Sequence, residues 1–198
     1  MTADDIPASE RAWEVGGFLD DDMAGTQAFL AAKRVRVPVV GTIRDYEPHG
    51  DDRLICAIGT PKTKLAVCEA LRERGAEFAS LIHPTAQIGP NSSVGAGALF
   101  MRFSGCTVDC TIGDFVTVNS VGGAGHDAVL EDGCTLSSHS EASGNTHLER
   151  GVFLGSHATV LPWIRVGAFA TIGAGSVVLR RVPPGATVFG VPARRLDF

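Results

Sequence analysis

The chain of 198 residues is 44% hydrophobic and 20% charged, enough for a sizeable buried core and ordinary for a globular protein. A net charge of −5 with no basic run argues against nucleic acid as a partner, and no apolar run approaches the roughly 18–20 residues that span a bilayer, so no membrane contact is expected. Five cysteines without a CxxC spacing, behind an acidic N-terminus (MTADDIPASERAWE) unlike a secretory signal, predict reduced thiols and a cytoplasmic location.

The first eighty residues read as a small α/β unit. Val15–Leu19 (VGGFL) predicts a strand running into Asp20-Asp21-Asp22, and Val37–Val40 is a short apolar run. Arg53–Ile58 (RLICAI) predicts a further strand ending at Gly59. Lys62–Arg74 is helical in composition and stops at Gly75, a residue type that suits the left-handed position just past a helix. Phe78–Ile82 then leads through His83-Pro84, with His83 read as a structural entry residue. Strands alternating with a helix predict a small parallel sheet.

From Ile82 to Val178 every sixth residue is apolar, seventeen positions without a slip, including Phe100, Cys106, Val118, Leu130, Leu136, Leu154 and Ile172. Four residues after the step the residue is usually small, as at Ala98, Cys110, Ala128, Cys134 and Ser140, and glycine often follows the apolar step. An α-helix with about 3.6 residues per turn cannot keep such a stripe on one face. A triangular β-helix can: each hexapeptide is one side, three sides make a coil, and coils stack about 4.8 Å apart. The steps point inward, and glycine is expected to tolerate the backbone angles of the turn. Cys106, Cys110 and Cys134 fall inward and read as core thiols.

Residues eighteen apart should therefore stack. One column runs His126, Gly144, Pro162, Arg180. Asp127 adjoins the histidine, but neighbouring strand residues face opposite ways, so it reaches the imidazole only if the backbone bends; Asp109, one coil below, is the alternative partner. His139 and His157 share another column. Trp163 reads as a contact for a cofactor or a second subunit, and Arg180, Arg181, Arg194 and Arg195 form a basic end that either meets phosphates or stays solvated.

The hexapeptide run and the ending IGAGSVVLRRVPPGATVFGVPARRL resemble the hexapeptide-repeat acyltransferases. The segments GFLDDD, VPVVG, AIGTPKTK and LIHPTAQIGPNSSVG are similar to the group of sialic-acid O-acetyltransferases and bacterial nucleotide-amino-sugar N-acetyltransferases. That resemblance implies a mainly β fold: a left-handed parallel β-helix, an exception to right-handed crossovers, behind a Rossmann-like α/β domain. The implied boundaries are 1–81 for an acceptor domain, 82–182 for the acetyl-CoA-binding β-helix and 183–198 for a closing segment. Only about fourteen residues precede GFLDDD, with none of the usual GAxGHG loop, so the first strand and helix of the Rossmann-like domain are expected to be missing.

The resemblance also implies acetyl transfer from acetyl-CoA to an amino or hydroxyl group of a nucleotide-linked sugar. It makes His126 the general base, Asp127 the residue raising its basicity, and Asn119 a polar group near the acceptor. An imidazole titrating near about 6.5 suits proton removal. Gly144 matches the glycine whose amide faces the acetyl oxygen. Thr135 (where a histidine is common), Ser156 and Ala174 match further acetyl-CoA positions, with Arg180 toward the phosphates. Asp20, Asp21 and Gly59 would contact the acceptor. Homotrimers with sites between subunits are implied, and no metal. Two other readings remain: an inactive β-helix scaffold or sugar-binding module, and a zinc carbonic anhydrase. The latter needs three histidines with one close pair, whereas His139 to His147 is eight residues and His147 to His157 ten.

Overall fold

The structure, a computed structural model, describes residues 13–196. The expected loss of a first strand and Gly-rich loop therefore concerns residues lying largely outside the described ones. Two short strands, β1 (Phe18–Leu19) and β2 (Val39–Gly41), pair in parallel, with helix α1 (Met23–Ala32) between them. Asp22 caps α1, its Oδ1 accepting from Gly25 N–H at 3.0 Å. Sequence reasoning missed this helix, although an aspartate ahead of ten residues rich in alanine is a start signal.

RLICAI forms no strand of the sheet. Only Leu54 bridges, in parallel, to Phe78, so the α/β unit is two paired strands and a single bridge. Helix α2 (Pro61–Glu73) lies one residue from its predicted bounds. Gly75 has φ +89°, and its N–H and that of Ala76 bond back to Arg72 and Leu71 carbonyls, the double closure that glycine permits at a helix end.

From Leu81 to Val178 two-residue strands recur every six residues and fold into three parallel sheets of six, six and five strands, the first of which gains two further strands at its end. They are the sides of a triangular coil. The first side carries Leu81–Ile82 through Thr187–Phe189, and the antiparallel strand Arg194–Arg195 closes it. The second side runs from Gln87–Ile88 to Val177–Val178, and the third from Ser93–Val94 to Arg165–Val166. Register is eighteen residues up to Val178, as where Gly123 pairs with Glu141, Val129 with His147 and Thr135 with Phe153, and it shortens to sixteen in the last coil, where Thr171 pairs with Thr187. The sixfold steps bury almost completely, with Phe100, Val118, Leu130, Leu136, Leu148, Leu154 and Ile172 at 0–2% exposure, each supplying roughly 1.5–3 kcal/mol of gross burial. Ile82, at the open end, stays 38% exposed. All five cysteines are free and buried.

The glycines do something other than expected. The positive-φ residue of each turn comes three places after the apolar step and is usually not glycine: Asn91, Phe103, Asp127, Asn145 and Trp163 all occupy it. The glycines just after the step are bare because the next coil passes close above. A Cβ on Gly89 would lie 2.0 Å from Thr107 O, and one on Gly155 would lie 2.6 Å from Ala174 N. Close approach, not backbone freedom, selects them.

Helix α2 docks on the edge where the third side turns into the first. The column there reads Gly97, Phe115, Gly133, Gly151, Phe169, glycines leaving gaps between the two rings. Leu65 sits on Gly133, and Phe78 meets Phe115 edge-on with centroids 4.9 Å apart. Arg72 lies over Phe115 and pairs with Asp114 at 2.9 Å. A second small core of Cys56, Leu65, Cys68 and Phe115 results.

A Cβ on Gly133 would fall 2.5 Å from Leu65 Cγ at φ +71°, whereas Gly185, at φ +68°, has open space. Gly185→Ala is expected to cost about 1–2 kcal/mol and Gly133→Ala about 2–4 kcal/mol, measured by denaturant midpoints. Equal losses would mean that α2 does not rest on this edge.

Candidate active site

His126 stands on the edge between the second and third sides, in the turn from Gly123–Ala124 to Val129–Leu130. Strict alternation would point Asp127 away. Instead Asp127 takes φ +58°, and this bend brings its carboxylate back onto the ring, with Nδ1 to Oδ2 at 2.8 Å. Asp109 takes the same bend one coil below, but the bond is to Asp127. A proton on Nδ1 donates to the carboxylate and leaves Nε2 with its lone pair free. On the single chain the His126 side chain is 60% exposed.

The ring leans over the next coil. A Cβ on Gly144 would lie 2.5 Å from His126 Nε2, so only glycine admits the imidazole there. Among the described residues no acceptor takes the Gly144 N–H. The equivalent turn amides of Ala96, Asp114, Arg150 and Ala168 are capped by the carboxylates of Asp114, Asp132, Glu131 and Glu149, so the position attracts anionic oxygen. Gly125 keeps the Gly144 amide uncovered, since a Cβ there would be 2.5 Å from its nitrogen. Pro162, Trp163 and Arg180 continue this edge, all exposed.

The other predicted contacts lie elsewhere. Asn119, Ser156 and Ala174 sit in turns on the edge between the first and second sides, and the strand Gly123–Ala124 separates Asn119 from His126. Within one chain they share no surface with the His126 column. His139 and His157 stack on Asn119's edge, 4.7 Å apart and 6° from parallel. No group of three potential metal ligands occurs among the described residues.

Thr135 lies on the first side, 2% exposed, beneath α2. It covers one wall of a cavity of about 440 Å³ that also meets Gly59, Thr60, Pro61, Asn119, Ser137, Phe153 and Thr171. This brings together three residues singled out separately: Gly59, Asn119 and Thr135. Asp20 and Asp21 do not line it. Asp20 accepts from Asp22 N–H and Thr26 Oγ1, which hold its carboxyl below the usual range, and Asp21 accepts from Arg44 N–H. Both carboxylates brace the loop after β1.

Lys64 went unnoticed in the sequence. It shares the inner face of α2 with Pro61, Cys68 and Leu71, and that periodicity was its signal. Only 1% exposed, its ammonium donates to Thr135 Oγ1 (2.8 Å), Thr117 Oγ1 (3.1 Å) and Cys134 O (3.3 Å), with no carboxylate among these partners. Burial pushes its pKa down to about 8.

A histidine-to-asparagine variant of perosamine N-acetyltransferase from Caulobacter crescentus, in complex with CoA and GDP-perosamine, is 31% identical to this chain (TM-score 0.78), covering 82% of this chain and 79% of that one. PerB from the same organism, with the same two ligands, is 30% identical (TM-score 0.82), covering 91% of this chain and 84% of that one. The chain belongs to the hexapeptide-repeat acyltransferases. Within them it falls with the group of sialic-acid O-acetyltransferases and nucleotide-amino-sugar N-acetyltransferases, and its coil is the left-handed β-helix of that fold. WeeI from Acinetobacter baumannii AYE is 25% identical with TM-score 0.82, covering 93% of this acyltransferase and 88% of WeeI. No family model and no curated protein matches the sequence. Among the described residues of this acyltransferase, no helix is long and apolar enough to cross a membrane.

Lys64 titrates near 10.5 when unfolded and about 8 when folded. Below about 8 it is charged in both states and the burial penalty is complete. Between those values the native state alone sheds the proton, so the penalty lifts as pH rises, by up to on the order of 3 kcal/mol. The stability of the native protein relative to Lys64→Met is expected to rise from pH 8 to pH 10 in urea titrations. A constant difference across that range would contradict the assignment.

Proposed function

We propose that this chain transfers the acetyl group of acetyl-CoA to the amino group of a nucleotide-linked sugar, with His126 as general base. The observation carrying the proposal is an imidazole whose Nδ1 is held by Asp127 while its Nε2 lies over Gly144 beside an unpaired amide. The acceptor nitrogen attacks the thioester carbonyl carbon and forms the new N–C bond. His126 Nε2 takes the proton released by that nitrogen, and the Gly144 N–H donates to the oxygen as it gains charge. When the tetrahedral adduct collapses, the C–S bond breaks and the proton on Nε2 passes to the departing CoA sulfur. A positioned base supplies typically about 10²–10⁴-fold, and one oxyanion donor about 3–4 kcal/mol.

The choice of an amine is supported by the similar structures, among them a perosamine N-acetyltransferase in complex with CoA and GDP-perosamine. The acceptor would enter the cavity below α2, where the bare Gly59 and the start of the helix meet Asn119. Asp20 and Asp21 would then contact it at the rim of the α/β unit. Thr135, Ser156 and Ala174 would line the CoA path along the first side and its edge, with Arg180 supplying positive charge at the far end of the His126 column. Residues 1–81 would act as the acceptor domain, 82–182 as the acetyl-CoA domain and 183–198 as its cap. No metal takes part.

One chain cannot bring Asn119's edge to His126's edge, because a whole side lies between them. The reading therefore requires a second copy, and a cytoplasmic homotrimer closes that arrangement with three equal sites. The carboxyl of Glu141 on the intervening side is already raised by burial on the single chain, as suits a face that loses water on assembly.

The test is CoA release from acetyl-CoA with a panel of nucleotide-linked amino sugars that includes GDP-perosamine. His126→Ala is expected to lose about 10²–10⁴-fold while keeping the fold. Full activity in that variant would remove the base, and no activity in the native protein would leave an inert scaffold. Refolding His126→Ala together with Asn119→Ala should restore about one site in four in a mixed trimer. If the mixture stays as inactive as its parents, the shared site is wrong.

A further inference from the structure

We propose that Asn145 is a positioning residue that, with Asp127, fixes the tautomer and tilt of His126. This rests on the reading of His126 as the base. The ladder of the edge places Asn145 directly above Asp127: Asp127 N–H donates to Val108 O at 3.1 Å, Asn145 N–H to His126 O at 2.8 Å and Trp163 N–H to Gly144 O at 3.2 Å. Because the imidazole leans up the stack onto Gly144, its Nδ1 comes to lie between two side chains of that column. Asp127 Oδ2 is 2.8 Å away in its own coil, and the amide nitrogen Nδ2 of Asn145 is placed 3.5 Å away in the coil above.

Asp127 alone permits two outcomes. Its carboxylate accepts from Nδ1, yet both side chains are more than half exposed. Asn145 closes the opposite side. Nδ1 must carry a proton to donate to Asp127, so an amide N–H gains nothing by facing it. A half-turn of the amide exchanges its nitrogen for its oxygen without changing its shape, and presents a second acceptor to the same proton. Two acceptors on Nδ1 hold the proton there and leave Nε2 as the basic nitrogen.

Asparagine also suits the backbone here, since φ is +58° and asparagine tolerates the left-handed region better than most residues. Asn91, far from His126, holds the same conformation in the same column. A purely structural role must therefore be separated from positioning. Glycine fits that backbone at least as well and removes the amide; aspartate fits it and keeps an acceptor.

The experiment records the ring-nitrogen chemical shifts of His126 by NMR, together with kcat and KM for acetyl-CoA, in the full-length native protein, Asn145→Gly and Asn145→Asp. Asn145→Gly is expected to lose the predominance of the Nδ1–H form and about 5–10-fold in kcat with KM unchanged, while Asn145→Asp keeps the native tautomer. The proposal is overturned if the glycine variant retains both the native tautomer and kcat, or if the aspartate variant loses the tautomer as the glycine variant does. The NMR readout does not depend on turnover. An active His126→Ala would remove the base reading while the tautomer comparison still judged Asn145.

Discussion

Vertical stacking at an interval of eighteen residues is the constraint from which the rest of the molecule follows. Each backbone amide of a short strand is paired with the coil above or below, so a residue's neighbours are set by arithmetic along the chain. Coils about 4.8 Å apart leave little room at the turns. Glycine then recurs where one coil presses on the next, and what Gly144 accommodates is a side chain, the imidazole of His126, where Gly89 and Gly155 accommodate backbone. The same spacing that packs the core thus positions the proposed base over a peptide N–H.

The stacking also determines how the small α/β unit is held. The edge that receives α2 carries only glycine and phenylalanine, so Leu65 drops into the gap left at Gly133 while Phe115 supports Phe78. Beside that apolar contact lies Lys64, whose charge is balanced by two hydroxyls and a carbonyl alone. A buried ammonium without a carboxylate opposes folding, and it survives here because all three of its donors are used. The Thr135 hydroxyl is committed to this lysine. It therefore serves the docking of α2 first, and what it offers the cavity is the remainder of its surface.

Much of this was legible in the amino-acid order. The sixfold steps marked the core residues individually, and the interval of eighteen put His126 and Gly144 in one column. Other features depend on three-dimensional facts that no spacing encodes. The left-handed turn at Asp127, which reverses the expected direction of its carboxylate, is a choice of backbone well at one residue. RLICAI has the composition of a strand, yet only Leu54 bridges, because no neighbouring strand lies alongside the rest. The same interval of eighteen places Asn119, Ser156 and Ala174 on one edge and Gly144 and Arg180 on the next, a separation passed over because the motif match carried them as a single set.

The most direct measurement is a crystal structure with CoA and whichever nucleotide-linked amino sugar turns over, from which the distances around the acceptor nitrogen are read. The account requires that nitrogen within about 3–3.5 Å of His126 Nε2, with the Gly144 amide facing the thioester oxygen and Asn119 of a second copy on the same ligand. A nitrogen bound well away from Nε2, or a site assembled wholly from one chain, would contradict it.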